Sequence, residues 1–234
     1  MPDDPLPRLP PVDPASASVP PDSLTPELLA SLLVEGDDEL AAWALQHALA
    51  GARRADVYDG LLARAMELVG DRWASGQWGV SEEHRASRTI LRALERVRPD
   101  LGPEGRIGPL AVLAAVAGER HMIGLVCLAQ VLQEEGWTVA ELGADVPPED
   151  LGRFVGSNEP RLVALTCSAP ERLDATIAAI QAVRAARPGL PILLGGRLAS
   201  QPEISRTLGI EWAGTSLVEA ERVARARMGA VAAD

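Results

Sequence analysis

Pro109-Leu-Ala-Val-Leu-Ala-Ala-Val116, the short loop Ala117-Gly-Glu119-Arg120-His121-Met122 and the segment Ile123-Gly124-Leu-Val-Cys-Leu-Ala-Gln-Val-Leu132 together decide the fold. The first run is apolar and of strand length, so it reads as a buried strand. The last is apolar but longer and carries no β-branched run, so it reads as a helix. His121 therefore sits on a strand-to-helix loop, at the carboxyl end of a parallel strand. Open α/β sheets bind ligands there. Glu119, two residues earlier, is placed to orient or polarise the imidazole, as outer-shell carboxylates do for metal-bound histidines. Gly124 removes a side chain where the helix begins, which leaves room for a bulky ligand near the backbone.

Outward from this stretch, apolar runs of strand length alternate with amphipathic segments from Arg106 onward. The runs are Leu110 to Val116, Thr138 to Leu142, Leu162 to Thr166, Ile192 to Leu194 and Ile210 to Ala213. Five strands with intervening helices predict a parallel, doubly wound sheet of flavodoxin-like (Rossmann-type) form over residues 105–234. Right-handed crossovers then bring the loops of His121, Thr166 to Ser168 and Gly195-Gly196 to one edge.

Residues 23–104 read differently. Ser23-Leu-Thr25-Pro26 offers a cap with proline in the first turn, before an apolar face of Leu28, Leu29, Leu32 and Leu33. Gly36-Asp37-Asp38 opens a second helix through Ala50, with Leu40, Trp43 and Ala44 on its faces. A third runs from Arg54 to Trp73 on Val57, Leu61, Leu62, Met66 and Val69. A fourth starts near Ser81, taken as its cap, and reaches Val97. Four helices with short turns predict a four-helix bundle. Residues 1–22 hold eight of the nineteen prolines and are expected to be a disordered or extended tail.

The formal net charge is −11, which argues against a nucleic-acid surface. The start of the chain has no apolar core of a signal peptide, and no apolar stretch approaches the roughly 20 residues of a membrane helix. Cys127 and Cys167 lie in apolar runs without metal-ligand spacing, so buried thiols and a cytoplasmic setting are expected. There is no phosphate-cradling Gly-x-x-x-x-Gly-Lys-Ser/Thr, no Gly-x-Ser-x-Gly elbow and no Cys-x-x-Cys. The sequence does not read as a self-sufficient enzyme.

Glu119-x-His121-x-x-Gly124 resembles the signature of proteins that bind cobalamin base-off, with histidine as the lower cobalt ligand. Thr166-x-Ser168 at the end of the third strand is similar to that group's hydroxyl motif beside the dimethylbenzimidazole tail. Gly195-Gly196 is similar to its glycine pair along the nucleotide loop, and Leu142-Gly-Ala-Asp-Val-Pro147 to a loop after its second strand. Upstream, Trp73, nine residues, then Glu83-His84 resembles the motif of the cobalamin photoreceptors of the CarH, AerR and photocobilin group. In that group the tryptophan covers the adenosyl-bearing face and the glutamate contacts the adenosyl group.

The resemblance implies adenosylcobalamin as cofactor, held by Trp73, Glu83, His84, Glu119, His121, Gly124, Thr166, Ser168, Gly195 and Gly196. It implies His121 as lower axial cobalt ligand. The group's CarH-type members carry a histidine directly after the tryptophan, whereas this chain has Ala74. His84 is the nearest candidate for an upper ligand after photolysis. A second tetrapyrrole such as a bilin is compatible with the sequence. The implied function is a light sensor that acts by conformational or oligomeric change, as a homo-oligomer or with a partner regulator. The short segment before the bundle is expected to leave no DNA-binding domain. The alternative is a corrinoid carrier of a methyltransferase system, which has the same order of bundle and cobalamin domain but no need of an adenosyl-sized cap.

Overall fold

The computed structural model describes residues 24–100, 108–201 and 203–231. The expected tail over residues 1–22 and the expected boundary at 104/105 lie outside the described residues. The chain divides into two compact units, one up to Arg98 and one from Pro99.

In the first unit, α1 (Pro26–Glu35) opens on Thr25, whose side chain accepts from the Leu28 N–H at 3.3 Å. It closes on Gly36, whose φ of 87° is the left-handed conformation of a helix C-terminus. Asp37 caps α2 (Asp38–Leu49), accepting from Leu40 N–H at 2.9 Å. The expected third helix is one rod in three parts: α3 (Arg54–Val57), a π-helical turn (Tyr58–Leu62) and α4 (Ala63–Ala74). The Ala63 N–H reaches back five residues to the Tyr58 carbonyl, which defines that turn. α5 (Val80–Arg96) completes the bundle.

The buried faces are Leu29, Leu32 and Leu33 of α1, Ala41, Ala44 and Leu45 of α2, and Ile90, Ala93 and Leu94 of α5. The α2 face therefore lies about one position round from the expected Leu40 and Trp43. Ala65, not Met66, packs inward beyond the π turn. Two polar links fasten the helices. Asp38 accepts from the Arg96 guanidinium at 2.9 Å. Buried Arg54 donates to the Tyr58 hydroxyl at 2.8 Å and to the Val97 carbonyl at 3.1 Å.

The second unit is the expected doubly wound α/β fold. Its strands are β1 (Leu110–Val116), β2 (Thr138–Val146), β3 (Leu162–Thr166), β4 (Ile192–Gly195) and β5 (Trp212–Ala213). All neighbours pair in parallel, in the order β2-β1-β3-β4-β5. This is the flavodoxin-like order, with its switch point at β1 and β3. Side chains alternate between faces. Val112, Ala114, Val163, Leu165 and Leu194 share one core with Leu151 and Val155 of α7 (Pro148–Asn158) and Ile180 and Val183 of α8 (Leu173–Ala186). Ala111, Leu113, Leu162, Ala164 and Leu193 face Leu125, Leu128 and Leu132 of α6 (Ile123–Glu134) and Ala220 and Ala224 of α10 (Leu217–Val231). Burial on both faces explains the unbroken apolar runs.

Two strand limits differ from the sequence reading. β2 does not stop at Leu142. It continues to Val146 through two register shifts, between Leu113 and Ala114 and between Ala114 and Val116 on the β1 side. These one-residue bulges let Gly143 and Asp145 adopt positive φ within the strand. β5 begins at Trp212 rather than Ile210.

Gly196, just after β4, has φ of 88°, and a methyl group there would stand 2.4 Å from the Cys167 carbonyl oxygen. The turn is thus packed onto the β3 loop, where the Leu198 N–H donates to that same oxygen at 3.1 Å. Gly196→Ala should combine backbone strain with a clash and cost roughly 2–4 kcal/mol, measured as a lower midpoint in urea unfolding. A loss below 0.5 kcal/mol would contradict this packing role.

Candidate functional site

The loop between β1 and α6 is built around Glu119. Its N–H donates to the Val116 carbonyl at 2.8 Å, which turns the chain sharply at the end of β1. Its side chain is fully buried. One carboxylate oxygen, Oε1, accepts from the Arg120 N–H at 2.7 Å, the His121 N–H at 2.9 Å and the His121 Nδ1 at 2.6 Å. The other, Oε2, accepts from the Ser168 N–H at 2.6 Å and faces the Arg172 guanidinium at 3.4 Å. Burial pushes the Glu119 carboxyl up, but the N–H groups of His121 and Ser168, the His121 imidazole and the Arg120 N–H outweigh it. Together they hold the carboxyl at about 2.

His121 is arranged oppositely. Its side chain is 69% exposed while its Nδ1 is held by Glu119. With the carboxylate accepting at Nδ1, that nitrogen carries the proton. Nε2 is left as a lone-pair donor on an exposed ring. The described residues contain no group of three His, Cys, Asp or Glu side chains able to hold a metal ion. Among the described residues His121 thus offers a single imidazole rather than one member of a metal-binding cluster. Around the loop, a methyl group at Gly124 or at Gly143 would meet nothing within 4 Å, so both backbones are open to close approach.

The structure joins the other expected residues of this unit to the loop unevenly. Thr166 is buried at the end of β3, paired with Ala115 and Gly195. Ser168 reaches the site through its main-chain N–H. Gly195 closes β4, and Gly196 has the packing requirement already given. Two residues that the sequence reading did not single out also belong here. Asp145, inside the noted Leu142–Pro147 stretch, accepts from the Gly118 N–H at 2.6 Å through its side chain. Arg172 lies in a 3-10 turn (Pro170–Arg172) and faces Glu119. No residue type in the sequence announces either contact, because both depend on which loops the strand order makes adjacent.

In the helical unit, Trp73 stands near the end of α4 and is 50% exposed; among the described residues it and Val80 are the exposed large hydrophobic side chains. α5 is capped by Gly79, not Ser81: the Glu82 carboxylate reaches back to the Gly79 N–H at 2.9 Å, and Ser81 lies inside the first turn. The Glu83 carboxylate accepts from the Ser87 hydroxyl at 2.8 Å and lies 3.6 Å from the His84 Nε2. His84 is itself largely exposed. Trp78, the other tryptophan of this hairpin, stacks on the Arg72 guanidinium at 4.7 Å and serves its structure.

Residues 109–226, half of the chain, match the B12 binding domain family, and residues 27–98 match a second B12 binding domain family. The chain belongs to the B12-binding domain family. Among curated relatives of this B12-binding protein is the HTH-type transcriptional repressor CarH of Myxococcus xanthus. It is 35% identical over 156 residues, which cover 66% of this chain and 52% of that one. The HTH-type transcriptional repressor CarA of the same organism is 37% identical over 120 residues, covering 50% and 40%. The chain thus spans about half the length of these relatives. The monomethylamine corrinoid protein of Methanosarcina barkeri superposes with a TM-score of 0.71 over 84% of this chain and 95% of that one. Its sequence identity is 19%, so this likeness concerns the fold.

The depressed carboxyl of Glu119 sets a pH dependence. Its folded-state pKa of about 2 lies below the ordinary 4.5. The stabilisation is therefore complete above about pH 4.5 and is lost as pH falls toward 2, a span of about 3 kcal/mol. Urea unfolding of wild type and Glu119→Gln at pH 7 and pH 3 tests this. The wild-type advantage should be large at pH 7 and shrink at pH 3; an advantage equal at both values would contradict it.

Proposed function

We propose that this protein is an adenosylcobalamin-dependent light sensor that binds its cofactor base-off, with His121 as the lower axial ligand of cobalt. The observation that carries the cofactor reading is the exposed imidazole whose Nδ1 is locked by buried Glu119 and whose Nε2 is free. Adenosylcobalamin, when bound, supplies a cobalt–carbon bond that visible light cleaves. The protein's residues hold it. Glu119 fixes the tautomer and raises the basicity of His121. Gly124 and Gly143 leave the backbone open to a large ring, and Thr166, Ser168, Gly195 and Gly196 border the loops at the same sheet edge.

The sensor reading is supported by the similarity to CarH, 35% identical over 156 residues, and by the exposure of Trp73, which precedes the Glu83–His84 pair in the sequence. In this reading Trp73 and Glu83 would hold the adenosyl group, and Trp73 would be the side chain left uncovered without it. Light then shifts the population between two states of the helical unit. Output passes through association, with a second copy or a partner regulator. His84 would be the residue of this stretch able to hold cobalt in the lit form, since Ala74 offers no side chain for it.

The test is the absorption spectrum of protein reconstituted with adenosylcobalamin in the dark, before and after green light. A stable light-driven shift with a change in oligomeric state is expected. Binding without a protein-specific light response would replace the sensor with a corrinoid carrier. His121→Ala should remove the histidine-ligated spectrum, and Trp73→Ala should weaken the light-driven change in association; an unaltered spectrum or an unaltered change would refute the respective role.

A further inference from the structure

Asp145 holds the histidine loop from β2. Its backbone lies at φ of 55°, a conformation that residues other than glycine adopt at a cost, though Asp and Asn tolerate it best. Two hydrogen bonds run from it to the loop. Its carboxylate accepts from the Gly118 N–H at 2.6 Å, and its own N–H donates to the Glu119 carbonyl at 2.9 Å. The bulges of β2 are what carry a strand residue to this place. The loop is therefore tied to β2 by its main chain, and to the β3 loop by the Glu119 carboxylate and the Ser168 N–H.

We infer that Asp145 is a positioning residue for metal ligation: by clamping Gly118 and Glu119 it sets the height and tilt from which His121 presents its Nε2. This rests on His121 being the cobalt ligand proposed above. The physical reason is the shortness of the lever. Glu119 orients the His121 ring directly, so any freedom of the Glu119 main chain is passed to the ring undiminished. A group held loosely by even 1 Å loses much of its ligating or catalytic capacity. The side-chain bond of Asp145 is also charge-assisted, the stronger class of hydrogen bond.

Two variants separate the side chain from the backbone. Asp145→Gly relaxes the positive φ but removes the acceptor. Asp145→Asn tolerates the same φ and retains an oxygen that accepts from Gly118. Each protein, with its histidines labelled in nitrogen-15, is loaded with cob(II)alamin and read by electron paramagnetic resonance. Ligation by the labelled imidazole splits the cobalt lines into doublets, whereas the cofactor's own unlabelled base gives triplets. Wild type and Asp145→Asn are expected to give the doublet. In Asp145→Gly the ratio of doublet to other forms should fall at least about tenfold, the usual weight of one hydrogen bond to a charged group. Thermal unfolding of the cofactor-free proteins should show the glycine variant folded. A full doublet in Asp145→Gly, or an equal loss in Asp145→Asn, overturns the inference alone. A wild-type protein without the doublet brings down the cobalt-ligand reading, and this inference with it.

Discussion

A carboxylate with no access to water is the constraint on which the site depends. Left alone, the buried charge of Glu119 would be too costly to keep. It persists because four N–H donors and an arginine converge on its two oxygens. Those donors come from different elements: two main-chain N–H groups and a ring from its own loop, one main-chain N–H from beyond β3. Satisfying the charge therefore forces the β1 and β3 loops together at the switch point of the sheet. The exposed imidazole is a by-product of that closure. A flexible surface histidine would present many orientations; this one has its tautomer and ring orientation set by a buried, multiply bonded neighbour.

The sheet makes this possible by being buried on both faces. β1 and β3 are enclosed, so their carboxyl ends are the places where the chain can emerge and vary. Polar groups appear there abruptly, from Thr166 at the end of β3 and beyond the end of the wholly apolar β1. The close seating of Gly196 on Cys167 continues the same edge toward β4, where main-chain groups rather than side chains meet.

Much of this was legible in the sequence, for reasons that differ by element. Strands buried on both faces leave continuous apolar runs, so β1, β3 and β4 could be placed almost to the residue. The Glu119–His121 spacing was legible because the two side chains interact locally. Contacts between distant segments were not. Asp145 looked like part of a loop because the bulges that keep it in β2 depend on pairing with β1. Ser168 drew notice for its hydroxyl, whereas it is its main-chain N–H that meets Glu119. In the helices, Ser81 has the side chain of a cap, yet Glu82 reaches back to Gly79. The π turn at Tyr58–Leu62 left no compositional trace at all, and it moved the inward face from Met66 to Ala65.

The donors around Glu119 have a consequence for how such a chain can change over generations. Three of the four are main-chain N–H groups, which every residue but proline supplies. Substitution at positions 120 and 168 is thus nearly silent with respect to this charge. Selection on the buried network falls on Glu119 and His121 and, more weakly, on the exclusion of proline nearby. As far as this charge is concerned, the Arg120 and Ser168 side chains can vary or be recruited to ligand contacts while the core of the site stays in place.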